Sequence, residues 1–143
     1  MRGISPRATP GNDSRAAPRA LRVLVADDNR DVVLTLMALL RDEGHEVRGV
    51  YSGDAALQEA RDFEADVYIL DIGMPKTSGY DVARTIRLRH GRAPVLIAVT
   101  AWQRPPDKLA AEVAGFDYHF GKPFPPQALL DLLRTISTSP RQH

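Results

Sequence analysis

Carboxylates follow two short apolar runs in this sequence. Asp27 and Asp28 come directly after residues 21–26, "LRVLVA", and Asp71 comes directly after residues 67–70, "VYIL". Valine, isoleucine, tyrosine and leucine in such runs favour buried strands. A charge at the end of a buried strand is hard to justify by packing alone, so these three carboxylates are candidates for chemistry.

One threonine and one lysine stand at corresponding places farther along the chain. Thr100 ends the apolar run at 94–100, and Lys122 follows the run at 116–120. If all these runs are strands of one parallel sheet, their carboxyl ends lie at the edge where ligands bind in open α/β sheets. The polar residues at the strand ends would then share one site.

Three carboxylates at one sheet edge repel each other strongly unless a cation lies among them. The chain has no cysteine, and carboxylate oxygens without thiolate or imidazole neighbours suit Mg²⁺. Mg²⁺ typically takes one or two protein carboxylates together with a phosphate, which leaves one carboxylate free to react. A carboxylate can accept a phosphoryl group, and Mg²⁺, the Lys122 ammonium and the Thr100 hydroxyl supply the cations and donor that phosphoryl transfer needs.

Five strand–helix units in strict alternation make up residues 21–136. Predicted strands cover 21–26, 45–51, 65–70, 94–100 and 116–120, and predicted helices cover 30–44, 52–63, 78–91, 105–115 and 125–136. Evenly apolar strands that alternate with helices favour an open parallel sheet with helices on both faces. Right-handed crossovers restrict the topology to a few doubly wound strand orders, of which 2-1-3-4-5 is one.

Composition limits the function classes. With 143 residues, 43% hydrophobic residues and no run near the length of a membrane span, we expect one soluble, cytoplasmic domain. Residues 1–20 carry four arginines, one aspartate and several prolines and glycines, and they are predicted to be a disordered basic tail. The domain is expected at 21–136, with a polar tail at 137–143. Residues 21–143 have a net charge of −2 and no recognition-helix motif, so DNA binding is not expected.

Four segments together resemble the receiver domains of two-component response regulators. They are "LVADDN" (24–29), "LDIGMP" (70–75), "AVTA" (98–101) and "GFDYHFGKPF" (115–124). Each segment alone is a weak signal, but four in this order at these spacings are specific, and the match covers about 21–136. The resemblance implies a flavodoxin-like α/β fold, (βα)5, with a five-stranded parallel sheet of order 2-1-3-4-5.

The resemblance also implies a role for each acidic residue. Asp71 corresponds to the phosphoacceptor, which receives a phosphoryl group from a histidine kinase or a histidine phosphotransfer protein. Asp28 corresponds to a direct Mg²⁺ ligand and Asp27 to a ligand through water. Asp71 itself and the backbone carbonyl of Gly73 complete the implied metal site.

Further positions carry the implied response to phosphorylation. Thr100 and Lys122 correspond to residues that contact the phosphoryl group, and the Lys122–Pro123 peptide bond is expected to be cis. His119 stands where the family commonly has an aromatic switch residue, and it is either a switch or an ordinary surface residue. Trp102, the one tryptophan, stands two residues after Thr100, where polar residues are frequent in the family.

The predicted function is therefore a phosphoaccepting receiver, not an enzyme, that signals to a downstream protein; the resemblance also allows a homodimer, which the sequence does not decide. A phosphorylation-independent interaction module on the same fold is the alternative. A haloacid-dehalogenase-like phosphatase is a third hypothesis, but such enzymes have an acid two residues after the nucleophile, where this chain has Gly73. Helix capping by Asp28 or Asn29 is the simplest structural explanation for the acidic pair, although it explains only one acid.

Overall fold

A computed structural model of the chain describes residues 19–101 and 104–138. Strands and helices alternate throughout this part. The strands are β1 (Arg22–Ala26), β2 (Glu46–Val50), β3 (Val67–Asp71), β4 (Val95–Thr100) and β5 (Tyr118–Gly121), and the helices are α1 (Arg30–Asp42), α2 (Gly53–Asp62), α3 (Gly79–His90), α4 (Pro105–Ala114) and α5 (Pro126–Thr138). Each predicted strand and helix is present, with bounds shifted by a few residues.

The five strands form one parallel sheet of order β2-β1-β3-β4-β5, which confirms the predicted fold class. Ala26 of β1 lies opposite Leu70 of β3, and Asp71 lies opposite Val99 of β4. The carboxyl ends of the three central strands are therefore level. Residues that follow these strands are brought to one edge of the sheet.

Two hydrophobic clusters cover the two faces of the sheet. Alternate residues of β3 point to opposite faces, so Tyr68 and Leu70 join the cluster under α2 and α3, whereas Val67 and Ile69 join the cluster under α1 and α5. All five residues of β3 are buried. Burial on both faces is the physical reason why this strand is uniformly apolar until Asp71.

The first described residue of the chain, Arg19, contacts the end of α5. The backbone N–H of Arg19 donates to the carbonyl of Ser137 at 3.2 Å, and the Arg19 guanidinium donates to the same carbonyl. The tail predicted over 1–20 lies outside the described residues up to position 18, and the C-terminal tail lies outside them from position 139. Within 19–101 and 104–138, no helix is long and apolar enough to cross a membrane.

A histidine joins the amino-terminal ends of β1 and β2. His45 Nδ1 accepts a hydrogen bond from the backbone N–H of Leu21 at 3.0 Å, and the N–H of Glu46 donates to the carbonyl of Leu21 at 2.9 Å. Burial lowers the pKa of His45, while the nearby Glu43 carboxylate opposes that effect. The neutral imidazole is the form that fits, because Nδ1 must carry a lone pair.

We expect the free energy of unfolding to fall as the pH is lowered through about 6.5, the ordinary pKa of histidine. The native state, with its lowered pKa at His45, binds fewer protons than the unfolded state, so acid favours unfolding. Urea unfolding at about pH 7.5 and about pH 5.5 measures the effect.

A His45→Gln variant should show a smaller loss of stability between these pH values, and a His90→Gln variant, altered at an exposed histidine, should behave as the wild-type protein does. Equal losses in the wild-type and His45→Gln proteins would show that another group titrates instead.

Candidate functional site

The carboxyl ends of β1 and β3 bring three acidic side chains together. Carboxylate oxygens of Asp27, Asp28 and Asp71 all lie within 4.8 Å of one another. Asp27 and Asp71 are buried and Asp28 is exposed. The level ends of β1 and β3 account for this proximity, since Asp27 directly follows β1 and Asp71 is the last residue of β3.

Lys122 reaches this cluster from the end of β5. Its ammonium donates to Asp27 Oδ2 at 2.7 Å and lies 3.5 Å from Asp71 Oδ1. The backbone N–H of Lys122 donates to the carbonyl of Thr100 at 2.8 Å, and the peptide bond from Lys122 to Pro123 is cis. One cation thus contacts two of the three carboxylates.

The three carboxylates repel one another, and a further cation would reduce this repulsion. Burial raises the pKa of Asp71, and the Asp27 carboxylate raises it further, while Lys122 and the Gly73 amide oppose these effects. Burial alone would lower the pKa of Lys122, but the hydrogen bond to Asp27 and the charge of Asp71 outweigh it and leave that pKa raised. The site favours positive charge, and among the described residues one ammonium, that of Lys122, contacts its three-carboxylate cluster.

Asn29, and not Asp28, caps helix α1. The Asn29 side chain accepts hydrogen bonds from the backbone N–H groups of Asp31 and Val32, and the N–H of Asn29 donates to Asp27 Oδ1 at 2.9 Å. Asp27 is therefore held by both Asn29 and Lys122. Helix capping does not account for Asp28, so its place in the acidic cluster needs another explanation.

Comparison with known proteins decides the family. The family model of the response regulator receiver domain matches residues 23–134. The chain belongs to the response regulator receiver family. Membership favours the receiver hypothesis over a haloacid-dehalogenase-like phosphatase, whose second acid is absent because position 73 is glycine.

This receiver domain is similar in sequence to part of a longer protein. It is 33% identical over 114 residues to the transcriptional regulatory protein CreB of Escherichia coli, an alignment that covers 80% of this chain and 49% of CreB. The receiver domain therefore spans about half of that relative.

Solved receiver structures share the fold. The chemotaxis protein CheY4 of Vibrio cholerae has a TM-score of 0.77 at 27% identity, covering 82% of this chain and 99% of CheY4. The receiver domain of the sensor histidine kinase PA1611 from Pseudomonas aeruginosa has a TM-score of 0.75 at 29% identity, with 85% and 100% of the two chains covered. The PA1611 structure has a magnesium ion coordinated in its active-site cleft.

Two predicted switch positions of the receiver domain lie on the β4–β5 side of the site. Thr100 is buried at the end of β4, opposite Gly121 in β5. His119 lies opposite Ala98 and is half-buried beside α4. Its role as a switch stays a prediction. Trp102 lies outside the described residues.

Gly79 is a site residue that the sequence analysis missed. A Cβ atom at this position would lie 2.6 Å from the carbonyl oxygen of Asp71 and 2.8 Å from the Cα of Ile72. The N–H of Gly79 donates to the carbonyl of Ile72 at 3.1 Å, and Ser78 and Asp81 form a capping box around the same helix end. The amino terminus of α3 is thus pressed against the backbone of the candidate acceptor. A glycine at the first position of a helix, where alanine has the better propensity, was the available signal.

Proposed function

We propose that this receiver domain accepts a phosphoryl group on Asp71, with Mg²⁺ bound beside it, and transmits the change to a partner protein. The observation that carries the proposal is the cluster of Asp27, Asp28 and Asp71 within 4.8 Å, with the Lys122 ammonium against two of its members. Sheets of this topology bind ligands at this edge. Membership of the receiver family agrees with the same chemistry.

The transfer is a displacement at phosphorus. A carboxylate oxygen of Asp71 attacks the phosphorus of a phosphohistidine donor, the O–P bond forms as the P–N bond breaks, and the electron pair of that bond stays with the imidazole. Lys122 stands 3.5 Å from Asp71 Oδ1 and offers its ammonium to the phosphoryl oxygens. The carboxylate has to be ionised to attack, and Lys122 and the Gly73 amide favour that form. The domain acts as a phosphoacceptor that promotes its own phosphorylation and dephosphorylation.

The donor set fits Mg²⁺. Three carboxylates within 4.8 Å offer only oxygen atoms, and the exposed Asp28 gives an ion access from solvent. Asp28 and Asp71 would hold the ion directly, Asp27 would hold it through water, and the Gly73 carbonyl would be a further ligand. Bound Mg²⁺ would neutralise charge on the phosphoryl oxygens.

Replacing Asp28 by asparagine should weaken Mg²⁺ binding by about tenfold or more, because a charged ligand is lost while the helix cap at Asn29 stays in place. Titration calorimetry with MgCl₂ measures the dissociation constant. Asp42→Asn, altered at an exposed carboxylate at the end of α1, is the matched control. Equal affinities of the Asp28→Asn and Asp42→Asn proteins would remove Asp28 from the metal site.

An apolar recess next to the site supports a protein donor. Val32 of α1, Pro123 and Phe124 line a volume of about 420 Å³ together with Lys122. Apolar surface beside the reacting groups suits a histidine carried on a protein, such as a histidine kinase or a phosphotransfer protein, which can bury side chains there. A small phosphodonor gains nothing from this recess.

The output of the domain is proposed on the other side of the site. Thr100 and His119 connect the phosphoryl position to the β4–α4–β5 face, and a new dianion at Asp71 would bias the arrangement of that face. The downstream partner is a protein in the cytoplasm, and formation of a homodimer stays a prediction. So does the expected lack of DNA contact, since CreB is named a transcriptional regulatory protein and this chain spans 49% of it.

The deciding experiment is the intact mass of the protein after incubation with acetyl phosphate and Mg²⁺, beside a sample that contains EDTA. We expect the mass of one phosphoryl group in the Mg²⁺ sample only. If neither acetyl phosphate nor a beryllofluoride mimic changes the folded protein, the phosphorylation-independent interaction module becomes the better description.

A further inference from the structure

An apolar groove with basic ends lies between α3 and α4, away from the phosphoacceptor site. We call it the α3–α4 groove, and its apolar lining consists of Leu88, Gly91, Val113, Ala114 and Gly115 around a volume of about 370 Å³. Leu88 is 88% exposed and Val113 is 78% exposed. Large apolar side chains this exposed, lining one groove, indicate a surface that another molecule covers.

Arg87 holds the groove in a fixed shape. Its guanidinium donates to the carbonyl of Gly115 at 2.9 Å, of Gly91 at 3.0 Å and of Pro94 at 2.7 Å, and it pairs with Asp117 at 2.7 Å. These bonds tie the end of α3 to the segment that follows α4. A Cβ atom at Gly115 would lie 2.7 Å from Arg87 Cγ, and Gly115 has a φ of 111°, so this position requires glycine. A preformed groove binds a partner at a lower entropic cost.

Positive charge stands at both ends of the groove, and none of the described residues that line it is acidic. Arg84 lies near one end, is more than half exposed and pairs with Asp81 across a surface contact. Arg92 lies at the other end with its side chain 74% exposed, and it shares Asp117 with Arg87, 3.5 Å away. Exposed pairs of this kind are weak, so both guanidiniums can exchange partners.

We propose that the α3–α4 groove binds an acidic amphipathic helix of a partner protein. An apolar side chain of that helix would enter between Leu88 and Val113, and its carboxylates would lie against Arg84 and Arg92. A second copy of this chain is a poor occupant, because a two-fold contact through the groove would place like charges from the two copies together. This binding is separate from the proposed phosphoryl transfer.

The spacing of the charges defines the partner. Arg84 and Leu88 are one turn apart on α3, about 6 Å along its axis, and Arg92 follows the C-cap residue Gly91, beyond the end of the helix. A partner helix that lies along the groove would meet Arg84 with an acid at i, Leu88 with an apolar residue at i+4 and Arg92, past the end of α3, with a second acid at about i+8. The groove therefore selects for an acid–apolar–acid row on the partner.

The test is fluorescence anisotropy with a labelled model helix that carries glutamate, leucine and glutamate at i, i+4 and i+8. Wild-type protein should bind it saturably, and Leu88→Ala should weaken binding by about tenfold. Arg92→Glu should weaken it by a similar factor and should gain affinity for a matching helix with lysine in place of glutamate. Leu34→Ala, altered at an exposed leucine of α1, should bind as the wild type does.

Several outcomes would overturn the proposal. They are an absence of saturable binding, equal binding of the lysine helix by the wild-type protein, and unchanged binding by Leu88→Ala. A wild-type dimer in sedimentation that Leu88→Ala dissociates would assign the groove to a second copy. Asp71→Asn should bind the helix normally, because α3 carries Gly79 at the acceptor and the groove at its opposite end; loss of binding in that variant would also count against the groove.

Discussion

Asp71→Asn is expected to abolish the mass increase that wild-type protein shows with acetyl phosphate and Mg²⁺. The amide of asparagine is a poor nucleophile toward phosphorus. The two remaining carboxylates of the cluster, Asp27 and Asp28, are not expected to replace Asp71 as the acceptor. Asp27 is engaged by Lys122 and by the N–H of Asn29, and Asp28 is the most exposed of the three. The asparagine side chain has nearly the shape of the aspartate that it replaces, so the fold should survive.

The same replacement should stabilise the folded domain in the absence of Mg²⁺. Burial and the charge of Asp27 raise the pKa of Asp71, which means that the ionised group is held at a cost in free energy. Urea unfolding of wild type and Asp71→Asn in EDTA measures this free-energy difference directly.

Phosphoryl addition that is retained in Asp71→Asn, with Asp42→Asn behaving as wild type, would show that the acceptor is another residue.

Arg87→Met should lower the free energy of unfolding by about 2–3 kcal/mol, a large share of the stability of a domain of this size. The Arg87 side chain is only 11% exposed and satisfies three backbone carbonyls and a carboxylate. Methionine fills part of the volume but cannot donate a hydrogen bond to the three carbonyls that the guanidinium contacts. Asp117 still accepts a hydrogen bond from the N–H of Leu96 and still pairs with the guanidinium of Arg92, which limits the loss of stability.

Arg92→Met is the matched control for this prediction. Arg92 pairs with the same carboxylate of Asp117, but at 3.5 Å and with 74% of its side chain exposed. Its removal should change the free energy of unfolding by less than about 0.5 kcal/mol. Equal effects of Arg87→Met and Arg92→Met in urea unfolding would show that the burial of Arg87 adds nothing to stability.

The sequence was sufficient for the fold because the three central strands of the parallel sheet, β1, β3 and β4, are apolar on both faces. The run at 67–70 is buried throughout, and the alternation of such runs with amphipathic helices leaves few topologies. The cluster of Asp27, Asp28 and Asp71 followed from that topology, since level strand ends bring together residues more than forty positions apart.

Features that depend on tertiary geometry could not be predicted in this way. Nothing in the order of residues distinguished Arg87 from the exposed arginines of the same helix, because its role depends on carbonyls of residues that meet only in the folded chain. The choice between Asp28 and Asn29 as the cap of α1 was open for a similar reason. Both have the side chain for it, and the backbone geometry decides.

The contact between Gly79 and Asp71 also limits which sequences this site can tolerate. Helix propensity alone would reward alanine at position 79, yet a single methyl group there would press on the backbone of the residue proposed to carry the phosphoryl group. If position 79 is mutated at random, glycine should therefore be the only residue found in clones whose protein still accepts a phosphoryl group. A position that carries no functional group of its own would then be as intolerant of change as the acceptor aspartate.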